Sequence, residues 1–192
     1  GLDRATKNAS VHVVHGKRPV FRHDLRYIVV ARGRISRTVS AFRWRYKLVV
    51  TDGTQRDRFP GEHRVLTEYQ TINTLAEALY DDAGRPNPKA IGDLRTVHHI
   101  RESVSFYVQH ILRKCDPNQV VGVIMQENLD NDVYRVFGYH NDRYTHRQSG
   151  QPDELSDKAR ANLRRFLAPD YTALMTLYAW GKIDRNVFLE TV

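Results

Sequence analysis

Tyr27-Ile28-Val29-Val30-Ala31-Arg32-Gly33-Arg34-Ile35-Ser36-Arg37-Thr38-Val39-Ser40-Ala41-Phe42 is the stretch that decides the fold. Its first five residues are a continuous apolar, β-branched run. Such runs fit a strand buried on both faces, as in a parallel sheet. Arg32-Gly33-Arg34 breaks the run, and a helix is expected beyond it, with Val39, Phe42, Tyr46 and Val49 on one face of a 3.6-residue period. Thr51-Asp52-Gly53-Thr54 ends that helix. The stretch is therefore a strand, a turn and a helix start.

The same reasoning extends outward. Val11–Val14 is short and β-prone and predicts an earlier strand. A second helix is expected over roughly Glu62 to Tyr80, a loop over Asp81 to Gly92, and a third helix carrying Val97, Ile100, Val104 and Ile111. Gln119 to Met125 predicts another buried strand, and a short helix follows near Asp130 to Phe137. Tyr139 to Asp153 is polar and irregular. Ser156 is a candidate N-cap, Pro169 suits the first turn of a last long helix, and Gly181 stops it. Buried strands with helices between them predict an α/β domain: three layers, a central mainly parallel sheet and flanking helices, in one domain over residues 1–192.

The 192 residues carry a net charge of +8 and no run of 18 apolar residues. The charge predicts an anionic partner, a nucleotide, nucleic acid, anionic glycan or membrane surface, and no segment reads as membrane-spanning. Arg32, Arg34, Arg37, Arg43, Arg45 and Lys47 form the densest basic group, whose plainest reading is a solvated helix face. Cys115 stands alone, which precludes an internal disulfide and a Cys-based zinc site within these residues. It is expected to be a passive helix-end residue in a reducing, cytoplasmic setting. Trp44 and Trp180 are expected in the core.

In open α/β sheets ligands sit beyond the carboxyl ends of the strands. Arg32 sits at such an end and Ser40 about one turn into the helix. A guanidinium forks onto a phosphate, a hydroxyl adds a donor, and a helix start adds oriented N–H groups. Arg34 and Arg37 would strengthen the positive field. These residue types at this spacing suit one phosphate group.

Here the chain resembles the sulfotransferases that use 3′-phosphoadenosine 5′-phosphosulfate (PAPS). Their 3′-phosphate motif runs strand, Arg-Asp-Pro-x-x-Arg-x-x-Ser, aromatic-rich helix. Arg32, Arg37 and Ser40 match it in identity and spacing, and Phe42, Trp44 and Tyr46 match the aromatic tail. Gly33-Arg34 replaces Asp-Pro. Val120 to Leu129 is similar to the family's later strand ending in Glu-x-Leu. Leu155 to Tyr178, with Asp170-Tyr171, is similar to its closing helices. The resemblance spans about residues 10 to 180. It implies a P-loop-like fold, PAPS as co-substrate with no metal, and a hydroxyl or amine acceptor, most naturally on a carbohydrate. It implies nucleotide contacts from Arg32, Ser40 and Arg37, with Tyr144, His146 and Arg147 in a loop that closes over the nucleotide. The family's Lys-x-Gly-x-Thr-type loop for the 5′-phosphosulfate has no counterpart before Ser10, so the chain is expected either to be N-terminally incomplete or to hold the donor differently.

His15, before Gly16, resembles a family histidine that takes the acceptor's proton; a surface turn histidine and the nearby His12 compete with that reading. His98-His99 is placed on a helix, where neighbours point about 100° apart, so the pair is set aside as a metal site. Asp130-Asn131-Asp132 opens like a calcium loop, but Arg135 stands where that loop needs Gly. Two other functions remain open: a sulfotransferase-like protein without catalysis that keeps a nucleotide or glycan site, and a basic nucleic-acid-binding module. The second is the weaker, since no helix-turn-helix, RNA-recognition signature or zinc finger is present.

Overall fold

The structure, a computed structural model, describes residues 12–14, 17–140 and 155–191. It is α/β and mostly helical (57%). Among the described residues the sheet has two parallel strands, β1 (Tyr27–Ala31) and β2 (Val120–Met125). The α-helices of the described residues follow the order α1 (Arg34–Tyr46), α2 (Glu62–Tyr69), α3 (Ile72–Glu77), α4 (Pro88–Thr96), α5 (Val104–Leu112), α6 (Leu129–Phe137), α7 (Asp157–Phe166), α8 (Ala168–Ala179) and α9 (Arg185–Thr191), with β2 between α5 and α6. None of these helices is long and apolar enough to cross a membrane.

The chain divides into two compact units. One holds residues 12–14, 17–33, 104–140 and 172–191 of those described. Its centre is the β1–β2 pair, with Ala31 level with Met125 at the carboxyl ends. Helix α6 covers β2, burying Val133 and Val136 against Ile124. Gly122 allows that approach, because a Cβ there would lie 2.6 Å from Val136 Cγ2. The Asp132 carboxylate accepts the Met125 N–H at 2.8 Å and an Arg135 N–H at 3.0 Å, and Arg135 also donates to the Val123 carbonyl at 2.9 Å. The acidic start of α6 thus serves the strand end. The lone Cys115 is buried, and burial pushes its thiol up, which leaves it protonated and inert.

The other unit, residues 34–103 and 155–171, is helical. Its core joins Phe42 and Val49 to Val65, Leu66, Ile72, Leu75, Leu79, Leu94, Ala159 and Leu163. The helix beginning after Arg32-Gly33 continues from α1 through a π-helical turn, Lys47–Thr51, and ends before Gly53 at φ +65°. Ser156 caps α7 by accepting the Ala159 N–H at 3.1 Å, as its type and place predict.

Six expectations need correction. The strand expected at Tyr27–Ala31 forms, but it is buried on one face only: Val29 and Ala31 are buried, whereas Ile28 and Val30 are exposed, because no described element covers that side. The strand expected at Val11–Val14 is not formed at residues 12–14, which lie exposed without strand pairing; β-prone residues need a partner ladder, and none of the described residues offers one. The helix expected over Glu62–Tyr80 breaks at Gln70 (φ +60°) and restarts at α3, where the Thr71 side chain accepts the Thr74 N–H. The apolar stripe survives the break because both segments face one core. The loop expected over Asp81–Gly92 ends early, since Asn87 caps α4 and Pro88 fits its first turn. The third helix starts only at Val104, leaving residues 97–103 as a turn. Trp44 is exposed, because the inward stripe of α1 runs through Arg34, Thr38, Phe42 and Arg45.

Candidate functional site

Strand β1 ends at Ala31 and α1 begins at Arg34, so Arg32-Gly33 is the whole connection. The residues just beyond the two strand ends face each other. The Gly33 N–H donates to Glu127 Oε1 at 2.9 Å, and Arg32 Nε lies 4.0 Å from the same oxygen. Both side chains keep partial exposure. Glu127 is the acid of the Glu-x-Leu segment after β2, so that segment is brought to the end of β1. The Glu127 carboxylate thus occupies this N–H and neighbours Arg32, so a phosphate bound at the same donor has to displace it.

On the helical side, Arg37 donates to the Glu102 carbonyl, and Ser40 is half-buried one turn into α1. Arg34 departs from its expected role. It is buried, its guanidinium lies 4.9 Å over the Tyr171 ring, and it donates to the Arg164 carbonyl at 3.3 Å. It packs α1 against the start of α8 and is not part of a surface field. Arg45, likewise expected on a solvated face, is bound bidentately by Glu62 at 2.9 and 2.6 Å with both side chains almost wholly enclosed. Of the densest basic group, two members are therefore core residues.

The other candidates, His15, Tyr144, His146 and Arg147, lie outside the described residues. What sequence reasoning missed is a cluster in the 97–103 turn. His98, His99 and Glu102 bring ligand-type atoms within 4.8 Å of one another. The sole sequence sign of it was the His-His pair itself.

Comparison with protein-family models, with curated proteins and with solved structures finds no match to this chain.

Proposed function

We propose that the segment Arg32 to Ser40 holds the 3′-phosphate of PAPS, and that the chain is a sulfotransferase acting on a hydroxyl or amine, most naturally of a carbohydrate. The reading rests on one observation above others: a parallel strand gives way through Arg32-Gly33 to a helix carrying Arg37 and Ser40 at the family spacing. Glu127, the residue that the family pattern sets after its later strand, accepts the Gly33 N–H at that strand end. With the proposal goes a three-layer P-loop-like domain, of which the β1–β2 pair is a part.

The chemistry is an in-line displacement. The acceptor oxygen or nitrogen bonds to sulfur as the bond from sulfur to the 5′-phosphate oxygen breaks. The acceptor proton passes to a base, for which His15 is the candidate, and 3′,5′-bisphosphoadenosine departs. Arg32, Arg37 and Ser40 hold the nucleotide away from the reacting atoms, with Tyr144 and Arg147 from the later loop. Titration calorimetry tests the site. 3′,5′-Bisphosphoadenosine should bind with a Kd on the order of micromolar, and Arg32→Ala should weaken it by about 1.5–3 kcal/mol. Equal affinity for adenosine 5′-monophosphate, or an unchanged Arg32→Ala variant, refutes the proposal. Labelled-sulfate transfer then separates an enzyme from a binding protein: His15→Ala should slow turnover by about 10²-fold or more, while tight binding without transfer selects the non-catalytic alternative.

A further inference from the structure

On a helix His98 and His99 would diverge. In the 97–103 turn they do not, because His99 takes φ +69°, a left-handed conformation uncommon for residues other than Gly. The two rings meet at a centroid distance of 4.3 Å and an angle of 68°. Glu102 closes the group, with its Oε2 3.8 Å from His98 Nε2. Two ligands of a tetrahedral ion with bonds of about 2.1 Å lie about 3.4 Å apart, so this pair is nearly at coordination distance. The full set, within 4.8 Å, has to close by up to about 1.4 Å.

The Glu102 carboxylate is oriented by hydrogen bonds from the His99 N–H at 3.0 Å and from Arg101 at 2.8 Å.

The frame around the cluster is rigid. Phe59 stacks on His98 at 4.0 Å and 10°. The His98 N–H donates to Glu62 Oε1 at 2.7 Å, and Glu62 is locked by Arg45. Strained backbone held by such a frame is typical of a functional constellation.

From this we infer that His98, His99 and Glu102 bind a divalent transition-metal ion, Zn²⁺ by the chemistry of two imidazoles and one carboxylate, with a fourth position open to water. The site is independent of the sulfotransferase reading, which uses no metal. It has one link to that reading: Arg37 donates to the Glu102 carbonyl, so a bound ion would stiffen the turn on which Arg37 rests.

The experiment titrates ZnCl₂ into the full chain by calorimetry and reads the visible spectrum of the Co²⁺ form. One ion per chain should bind at micromolar Kd or tighter, and Co²⁺ should give the intense bands of a four-coordinate site. His99→Asn, chosen because Asn tolerates the left-handed backbone, and Glu102→Gln should each weaken binding by about 10–100-fold or more. The chain has nine histidines, so weak surface binding is the competing outcome. Binding unchanged in both variants, or a Co²⁺ spectrum like that of the hydrated ion, overturns the site. Should a variant fail to fold by circular dichroism, the wild-type Co²⁺ spectrum alone decides.

Discussion

Glu62→Gln should be the most damaging isosteric change in the helical unit. Glu62 and Arg45 are 1% and 2% exposed at the side chain and share two hydrogen bonds, at 2.9 and 2.6 Å. The glutamine keeps the volume, and its carbonyl oxygen can still accept the His98 N–H. What it removes is the charge opposite a guanidinium that has no route to water. Stranding one member of a buried pair costs about 3–5 kcal/mol. Arg45 retains the Gln55 side-chain oxygen at 2.6 Å and the Phe59 ring at 5.0 Å, a contact worth about 0.5–2 kcal/mol. The expected loss is therefore near the lower end, about 3 kcal/mol. Against a total stability of about 5–15 kcal/mol, that is a large fraction. Urea denaturation followed by circular dichroism reads it as a midpoint lowered by about 1 M or more, with m values in the usual range of about 1–3 kcal/mol/M. Replacing both partners, Arg45→Met with Glu62→Leu, should cost less than Glu62→Gln alone, since no charge is then stranded. A loss under about 1 kcal/mol in Glu62→Gln, the range of exposed pairs, would refute the assignment of this pair to a dry interior.

The Asp93 carboxylate accepts from Arg64 at 2.5 Å, Lys89 at 2.8 Å and the Tyr69 hydroxyl at 3.2 Å; burial alone would raise it, but the Lys89 and Arg64 bonds hold it below its usual range. A group lowered on folding stabilises above its unfolded value, about pH 4, and that stabilisation fades as pH falls below it. Stability of Asp93→Asn should thus fall less steeply than wild type below about pH 4, and parallel pH profiles would exclude the effect. Gly122→Ala places a methyl 2.6 Å from Val136 Cγ2 and should destabilise by about 1–3 kcal/mol. Thermal unfolding should show most of that loss restored when Val136→Ala is added, and no restoration would mean that the contact is not the cause.

The sequence by itself determined what is local and periodic. The apolar runs at Tyr27–Ala31 and Val120–Met125 form the two strands that consecutive β-branched residues favour, but only the second is buried nearly throughout; Ile28 and Val30 leave one face of β1 exposed, which the run itself does not reveal. The helix beginning after Gly33, the Ser156 cap and the Gly181 stop follow from single residues acting on their own backbone. Tertiary structure decided the rest. Whether Arg34 and Arg45 faced water could not be known without Tyr171, Arg164 and Glu62, which come from elsewhere in the chain. Residues 62–80 and 97–111 carry unbroken helical periodicity, yet both segments are interrupted, at Gln70 and at His99, by a positive φ that is uncommon for residues other than Gly. Periodicity reports which side chains seek the core, and a break that keeps them facing it leaves no mark. The same break turns two adjacent histidines from opposed directions into one cluster with Glu102, a juxtaposition made by backbone geometry at one residue and by the packing of Phe59 and Glu62 around it.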